Sequence, residues 1–284
     1  MIKKKYTVGQ ITFKTVAYIL CILLLAMSTI PFIIMIVNAT RSTPEIQGAS
    51  LSFIPSRFFM TNWGVIRDNP TFQPMVALVN SSIISVSATF LTIYFSTLTA
   101  FAVVAYNWKL RRPFFSFILA VMMIPAQVTA IGYFKFMAQL GMTNNLLALI
   151  LPAIAAPMAV FFLRQYMVGA LPLELLEASR IDGSGEFRTF NQIVLPIMKP
   201  AMATQAIFTF VASWNQLFLP QILLTDSSRF TMPLMISLLR GDQYRVELGA
   251  VYLGIALTVL PLFIIYFALS KYIIAGIALG SVKG

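Results

Sequence analysis

Residues 172–200 read PLELLEASRIDGSGEFRTFNQIVLPIMKP and form a polar stretch between long apolar runs. Pro172 is typical of the first turn of a helix, and Gly183 is typical of the position that follows a helix. The pattern therefore predicts a short helix from Leu173 to Ile181. Since a second helical pattern follows the glycine, we expect two short helices that meet in a compact elbow.

The second helix of this elbow is predicted to carry an apolar edge. Ser184 is placed to cap the helix, and Pro196 is expected to end it. Between them, Phe187, Phe190 and Val194 recur at spacings of three and four residues, so they share one helix face. We expect this face to lie against membrane helices.

The composition indicates a membrane protein. Of 284 residues, 59% are hydrophobic and 10% are charged, whereas about a quarter of the residues in soluble domains are charged. A membrane-spanning helix needs about 20 mainly apolar residues. Six such runs occur, at residues 16–37, 81–104, 114–134, 146–162, 201–223 and 248–269. Because a lipid-exposed backbone must satisfy its own hydrogen bonds, we predict an all-α membrane protein with six transmembrane helices in one domain, 1–284.

The basic residues orient these spans. The net charge is +11, but the lysines and arginines are spread along the loops, so no nucleic-acid partner is expected. They are more frequent in alternate loops, most sharply in the loop that holds Lys109, Arg111 and Arg112. Since cytoplasmic loops carry the excess of Lys and Arg, both termini and the elbow are predicted to lie in the cytoplasm. The protein is then a multi-pass protein of the cell membrane.

The elbow also carries a recognisable motif. It consists of Glu177-Ala178-Ser179, Asp182-Gly183 and, nine residues later, Ile193-Val194-Leu195-Pro196. This motif resembles the EAA loop of ABC-importer permeases, in which Glu-Ala-Ala, Gly and Ile-x-Leu-Pro recur at this spacing; Ser179 stands where that family has alanine. The alternative is an ordinary amphipathic connection that has no partner.

The resemblance implies a type I importer permease fold whose first elbow helix is a coupling helix. In that family this helix docks in a cleft of the ATP-binding subunit and carries nucleotide-driven motion to the membrane helices. By position, Glu177 would meet a basic group of that subunit, Ala178 and Ser179 would pack against it, and Gly183 would form the bend. The implied partners are two ATP-binding cassette subunits, a second homologous permease and an extracytoplasmic sugar-binding protein.

Further segments resemble the carbohydrate, maltose-transporter-like subgroup of these permeases. They are Ile124-Pro125-Ala126-Gln127-Val128, Leu151-Pro152, Leu163-Arg164-Gln165 and the ending Gly280-Ser-Val-Lys-Gly284. The resemblance implies a carbohydrate cargo, expected to be an oligosaccharide. It also implies that the outer loop at 225–247 reaches into the sugar-binding protein and that the tail runs between the ATP-binding subunits. Independently of the resemblance, Pro125, Pro152 and Pro157 are expected to kink their helices.

A polar face on the fifth predicted span suggests a substrate pathway. Gln205, Thr209, Ser213 and Gln216 follow one another at spacings of four, four and three, with Trp214 and Asn215 beside them and Gln127 at a similar depth on the third span. An aromatic ring flanked by amides suits the C–H faces and hydroxyls of a sugar. We therefore name Gln127, Ser213, Trp214, Asn215 and Gln216 as candidate pathway residues. The alternative is that Trp214 is an interfacial anchor and the amides join helices.

The second predicted span carries a stripe of small polar residues. It comprises Ser82, Ser85, Thr89, Thr92, Ser96 and Thr99. Such a stripe lets another helix approach closely and form modest hydrogen bonds. We favour this packing role over a role in lining a substrate path.

Several classes of chemistry are disfavoured by the residues that are missing. The chain has no histidine, a single cysteine and no P-loop motif, so neither metal catalysis nor a catalytic triad is expected, and no cofactor. The chain is therefore expected to be a non-catalytic subunit whose ATP hydrolysis occurs in separate partners. A stand-alone carrier or channel for a small polar solute is the alternative, but no acidic residue falls in a predicted span, where proton-coupled carriers usually need one.

Overall fold

The computed structural model describes residues 8–68, 73–241 and 247–281. Within these ranges the chain is helical and no β-strand occurs. The helices are α1 (Val8–Asn38), α2 (Thr43–Gly48), α3 (Phe59–Asp68), α4 (Pro74–Ala105), α5 (Arg111–Met122), α6 (Ala126–Gln139), α7 (Leu147–Ile150), α8 (Pro157–Ala170), α9 (Leu173–Ile181), α10 (Glu186–Thr189), α11 (Leu195–Trp214), α12 (Phe218–Leu223), α13 (Met232–Gly241) and α14 (Leu248–Ser281). Two 3₁₀ turns, Leu151–Ile154 and Ser227–Arg229, and one π-helical turn, Phe190–Val194, complete the set.

Five segments are long and apolar enough to cross a membrane, and a sixth is formed if one bent helix pair counts as a single span. The five are Thr12–Asn38, Pro74–Ala105, Leu147–Ala170, Glu186–Trp214 and Leu248–Ala268, and the bent pair is α5 with α6. The prediction of an all-α membrane protein is thereby confirmed. Each segment overlaps one of the six predicted runs, although several bounds differ.

The third predicted span, 114–134, is not one straight helix. The axes of α5 and α6 meet at 101°. Pro125 lies at the break in an extended conformation, with φ −60° and ψ 128°. Because a proline disfavours the helical conformation of the residue before it, the chain leaves the helix at this point. The fourth span is also interrupted, since Pro152 lies in the 3₁₀ turn Leu151–Ile154 and Pro157 begins α8.

The fifth span differs from its predicted bounds, 201–223, at both ends. The helix runs from Glu186 through Pro196 to Trp214, so the prediction that Pro196 ends the second elbow helix is wrong. The reason is the π-helical turn just before Pro196, in which the amide of Leu195 donates to the carbonyl of Phe190, five residues back. Proline has no backbone N–H, so it cannot donate to the carbonyl four residues before it. The wider π-helical turn lets the helix continue without that hydrogen bond. The helix stops at Trp214, and Pro220 is the third residue of the next helix, α12, where a missing N–H costs little.

The chain divides into two compact units. The first holds the chain up to residue 70 together with residues 239–257, and the second holds residues 71–238 and those from 258 onward. Helix α14 begins in the first unit and continues in the second. It extends to Ser281, so Gly280 and Ser281 of the predicted tail are helical, while residues 282–284 lie outside the described ranges.

The first unit contains a buried arginine, Arg41, in the segment between α1 and α2. The guanidinium of Arg41 donates to the carbonyl oxygens of Glu45 and Ala49 at 2.6 Å each, and to Oδ1 of Asn38 at 3.0 Å. A buried charge is tolerated only when it is hydrogen-bonded in this way. Asn62 braces the same turn from α3, because its Nδ2 donates to the carbonyls of Ala39 and Arg41 at 2.9 Å. The segment between α1 and α3 is therefore tightly built.

Gly249, at the start of α14, touches this turn. A Cβ atom at this position would lie 2.2 Å from the carbonyl oxygen of Arg41 and 2.4 Å from Nδ2 of Asn62. Both distances are far below van der Waals contact, so only glycine permits this approach. The neighbouring amide of Leu248 donates to Oγ1 of Thr43, which itself donates to Glu247.

In the second unit, α4 packs against both α8 and α11. The interface contains Ala100 and Phe101 of α4, Leu163 and Met167 of α8, and Met198 of α11, all fully or nearly fully buried. Helix α9 and the π-helical turn that follows α10 are attached to the same core, which sets the position of the candidate site.

We predict that Gly249→Ala destabilises the protein by at least about 1–3 kcal/mol, the usual cost of overpacking. Thermal unfolding of the purified protein in detergent measures the effect. The matched control is Gly132→Ala, since a Cβ at Gly132 meets nothing within 4 Å. Equal stability of the two variants would contradict the close approach of α14 to Arg41.

Candidate functional site

The elbow begins with α9, which has the predicted bounds, Leu173–Ile181. Gly183 follows it with φ +77°, a left-handed conformation that side chains disfavour. The amide of Gly183 donates to the carbonyl of Arg180 at 3.1 Å, and the amide of Ser184 donates to that of Ser179 at 2.9 Å. These two bonds form a Schellman motif. The bend predicted at Gly183 is therefore present.

Three hydroxyl groups join the two elbow helices. Oγ1 of Thr189 donates to Oγ of Ser184 at 3.0 Å and lies 3.3 Å from Oγ of Ser179, which in turn donates to the carbonyl of Leu176 at 2.8 Å. Ser179 and Thr189 are buried. The expected cap by Ser184 is wrong, because Gly185 occupies the capping position and the Ser184 hydroxyl accepts from Thr189 instead.

The elbow is anchored by apolar side chains in the core of the second unit. Leu176 of α9, with Phe190 and Val194 of the π-helical turn, is buried in the cluster that contains Phe101 and Leu163. The predicted contact of Phe190 and Val194 with membrane helices is thus observed. Phe187, predicted on the same face, is 73% exposed instead.

A polar cluster links the elbow to the end of α4. The hydroxyl of Tyr106, the residue after α4, donates to Oε2 of Glu186, while Nε of Arg180 donates to Oε1 of the same carboxylate at 2.9 Å. The Arg180 guanidinium also lies 5.4 Å from the centre of the Tyr106 ring. Burial, together with the bond to Glu186, raises the pKa of Tyr106 to about 12. The hydroxyl therefore keeps its proton and its donor role at neutral pH.

The opposite face of the elbow is open. Glu177, Ala178, Asp182 and Gly183 are exposed, and Ile181 is 87% exposed. Two large apolar side chains, Ile181 and Phe187, thus lie uncovered beside acidic groups. Ser179 does not belong to this face, because its side chain points into the elbow. The last motif residues fall on α10–α11, where Ile193 and Leu195 are half-buried and Pro196 is exposed.

A second feature is a cavity of about 890 Å³ among the helices of the second unit. Its walls come from α4, from the stretch that runs from α7 into α8, and from α11. Met122, Gln216, two residues of α12 and Thr231 complete the lining. The polar lining residues are Ser81, Ser85, Thr92, Gln205, Thr209, Ser213, Gln216 and Thr231. Phe161, Phe162 and Phe208 add aromatic rings.

The cavity includes two of the five candidate pathway residues. Ser213 and Gln216 line it, whereas Asn215 and Gln127 are exposed elsewhere. Trp214 is 1% exposed and does not line the cavity. Its Nε1 donates to the carbonyl of Thr258 at 3.0 Å, and its ring stacks on Phe210 with centroids 5.6 Å apart. Trp214 therefore joins α11 to α14 and is not available to a ligand in this conformation.

Ser85 and Thr92 from the small-residue stripe lie on the cavity wall, although the stripe was assigned to packing. Both roles are present, since Oγ1 of Thr92 also donates to the carbonyl of Ala153 at 2.9 Å. Thr231 was not anticipated, because its place depends on the outer loop. That loop is held over α4 by Nδ2 of Asn80, which donates to the carbonyls of Ser228 and Phe230, and by Oγ of Ser81, which accepts from the amide of Met232.

The described residues hold no cluster of three or more His, Cys, Asp or Glu side chains suited to a metal ion. The features on which function can be argued are thus the elbow, with its open face, and the cavity.

Residues 92–278 match the family of the binding-protein-dependent transport system inner membrane component. The chain belongs to this family. The matched region contains the elbow, the end of α4 and all of α8 and α11.

Relatives and a solved structure agree with this assignment. The chain is 35% identical over 259 residues to the arabinooligosaccharides transport system permease protein AraQ of Halalkalibacterium halodurans, which covers 89% of this chain and 91% of that protein. It is 32% identical over 266 residues to the trehalose/maltose transport system permease protein MalG of Thermococcus litoralis, which covers 93% and 94%. A crystal structure of a bacterial ABC transporter involved in the import of the acidic polysaccharide alginate contains a chain that matches with a TM-score of 0.79 and 19% identity, over 95% of this chain and 99% of that one. The predicted importer permease fold is confirmed.

We predict that Thr189→Val loosens the elbow of this permease. The change keeps the shape of the side chain but leaves Ser179 and Ser184 without their shared partner, at a cost of about 1–3 kcal/mol for a buried group. Hydrogen exchange should become faster for the amides of 173–190. Thr99→Val is the control, since Oγ1 of Thr99 bonds only to the carbonyl of Phe95 in its own helix. Unchanged exchange in the elbow of Thr189→Val would refute the role of the hydroxyls.

Proposed function

We propose that this chain is a permease subunit of an ATP-driven importer that moves a carbohydrate, an oligosaccharide, across the cell membrane by alternating access. The observation that carries the proposal is the elbow. The elbow is fixed to the membrane helices on one side, through Leu176 of α9 and Phe190 of the π-helical turn, and it exposes acidic and apolar residues on the other. Family membership supports the transport role.

The open face of α9 is the proposed contact with the ATP-binding subunits. Uncovered apolar side chains beside charges are typical of a protein interface. In this proposal Glu177 meets a basic group, and Ala178, Ile181 and Asp182 pack around it. Ser179, which was expected to pack against the partner, instead holds the elbow in shape from within. Gly183 provides the bend, and Ile193, Leu195 and Pro196 continue the elbow into α11.

The anchoring explains how motion would be transmitted. A force on α9 reaches α4 and α8 through the packed core around Phe190, and α4 a second time through Glu186 and Tyr106. Because packed cores and charged hydrogen bonds resist deformation, α9 would move together with the ends of these helices. ATP hydrolysis itself is assigned to two separate ATP-binding subunits, since this chain has no P-loop motif.

The remaining partners follow from the family. A second homologous permease would complete the translocation path, and an extracytoplasmic binding protein would deliver the cargo. The relatives that transport arabinooligosaccharides and trehalose or maltose support a carbohydrate cargo. Within this chain Ser213 and Gln216, which line the cavity, are the pathway residues that we retain.

The orientation proposed for the elbow can be tested directly. Because Cys21 is the single cysteine, Cys21→Ser gives a cysteine-free chain into which Asp182→Cys and, separately, Asp68→Cys are placed. In sealed cells, a membrane-impermeant maleimide should label the cysteine at position 68 and spare that at 182 until the membrane is opened. Labelling of position 182 in sealed cells would contradict the proposed topology and, with it, contact with cytoplasmic ATPases.

We predict that Glu177→Lys abolishes import while the chain still inserts in the membrane. A like charge placed against a basic partner should weaken the contact by about 1.4 kcal/mol or more, which corresponds to at least a tenfold loss of import. The measurement is ATP-dependent uptake of labelled arabinotriose or maltotriose by the assembled importer. Asp68→Lys is the matched charge reversal, because Asp68 is exposed and paired only with its neighbour Arg67. Import that persists without any ATP-binding subunit would instead support a stand-alone carrier.

A further inference from the structure

The lining of the cavity carries no charge. Every described residue around its volume of about 890 Å³ is apolar or is a neutral serine, threonine or glutamine. This size falls within the range of ligand pockets, about 300–1,000 Å³. A carboxylate or phosphate that entered it would lose its hydration without gaining an opposite charge, at a cost of several kcal/mol.

Four of the polar groups in the cavity form a ladder along α11 and its end. Gln205, Thr209 and Ser213 of α11 line it together with Gln216, which lies just beyond the end of that helix. Nε2 of Gln205 lies 3.3 Å from Oγ1 of Thr209. Thr209 and Ser213 are half-buried, and Gln216 is exposed. Their amides and hydroxyls both donate and accept hydrogen bonds. They therefore match a ligand with many hydroxyl groups.

The apolar part of the lining also fits such a ligand. Phe208 of α11 is largely exposed, and Phe161 and Phe162 of α8 are half-buried. These rings offer flat apolar faces of the size of a sugar ring. A mainly apolar pocket with a few placed polar groups is the usual form of a small-molecule site.

We infer that this cavity is a binding site for one end of an uncharged oligosaccharide, and that its neutral wall excludes uronic acids and sugar phosphates. The inference rests on the proposed function, since it names the class of carbohydrate that passes. It assigns Gln205 and Thr209, besides Ser213 and Gln216, to hydrogen bonds with cargo hydroxyls. Phe208 then packs against a sugar face.

The test uses the assembled importer without its binding protein, so that the cavity alone selects the ligand. In the cysteine-free chain, Thr209→Cys is labelled with a small neutral maleimide in the presence of maltotriose, arabinotriose or triguluronate at equal concentration and ionic strength. We expect the neutral trisaccharides to slow labelling several-fold and triguluronate to leave it unchanged. Thr204→Cys is the matched control, since Thr204 is half-buried on the same helix but does not line the cavity. Its labelling should not respond to any sugar.

Three results would overturn the inference. The first is that triguluronate slows labelling of position 209 as much as the neutral sugars do, and the second is that neither neutral sugar slows it. The third is that position 209 is labelled in the isolated chain but not in the assembled importer without sugar. The last result would mean that the second permease fills the cavity. In each case ATP-dependent uptake of a neutral trisaccharide by the wild-type importer would show that the proposed function still holds. If the wild type imported no carbohydrate, the proposed function itself would fail.

A second measurement concerns uptake. Gln205→Leu keeps the approximate size of the side chain but removes its hydrogen bonds, so the apparent KM for the neutral trisaccharide should rise between about two- and tenfold. Ser96→Ala is the control, because Ser96 is buried on α4 and does not line the cavity. An unchanged KM in Gln205→Leu would remove that residue from the site.

Discussion

The fold depends on the burial of Leu176 and Phe190 in a core shared with α4 and α8. Each side chain comes from one arm of the elbow, so the two arms cannot separate or turn without exposing apolar surface. Burial of a large apolar side chain stabilises a protein by about 1.5–3 kcal/mol. Two sets of hydrogen bonds around this anchor fix the orientation of the elbow helices, because hydrogen bonds restrict geometry more than apolar contacts do. They join the hydroxyls of Ser179, Ser184 and Thr189, and the side chains of Tyr106, Arg180 and Glu186.

The same helices that hold the elbow also form the cavity. Helix α11 leaves the elbow through the π-helical turn and presents its polar ladder to the cavity farther along, while α4 is bonded to the elbow at Tyr106 and lines the cavity with Ser81 and Ser85. In the proposed mechanism, a displacement of α9 would act on both cavity walls through these helices and would thereby couple the elbow to the access of a cargo.

Sequence reasoning was most accurate where a local pattern is sufficient. The bounds of α9, the bend at Gly183 and the breaks near Pro125, Pro152 and Pro157 follow from the intrinsic conformations of glycine and proline. It was wrong at Pro196, because a π-helical turn can absorb a proline and no residue pattern marks such a turn in advance. It also misplaced Phe187, since helical spacing defines a face but not how far the neighbouring helix extends along it.

The sequence alone determined that the protein is a helical membrane protein, which residues form its polar elbow and which family motif the elbow carries. These conclusions depend on hydropathy, turn residues and motif spacing, which are properties of neighbouring positions. The tertiary structure alone decided which polar residues face a common space. Trp214 and Ser213 are adjacent in the chain, yet one is buried against α14 and the other lines the cavity. Which space a side chain faces depends on the packing of helices that are distant in sequence, and local sequence patterns do not determine that packing.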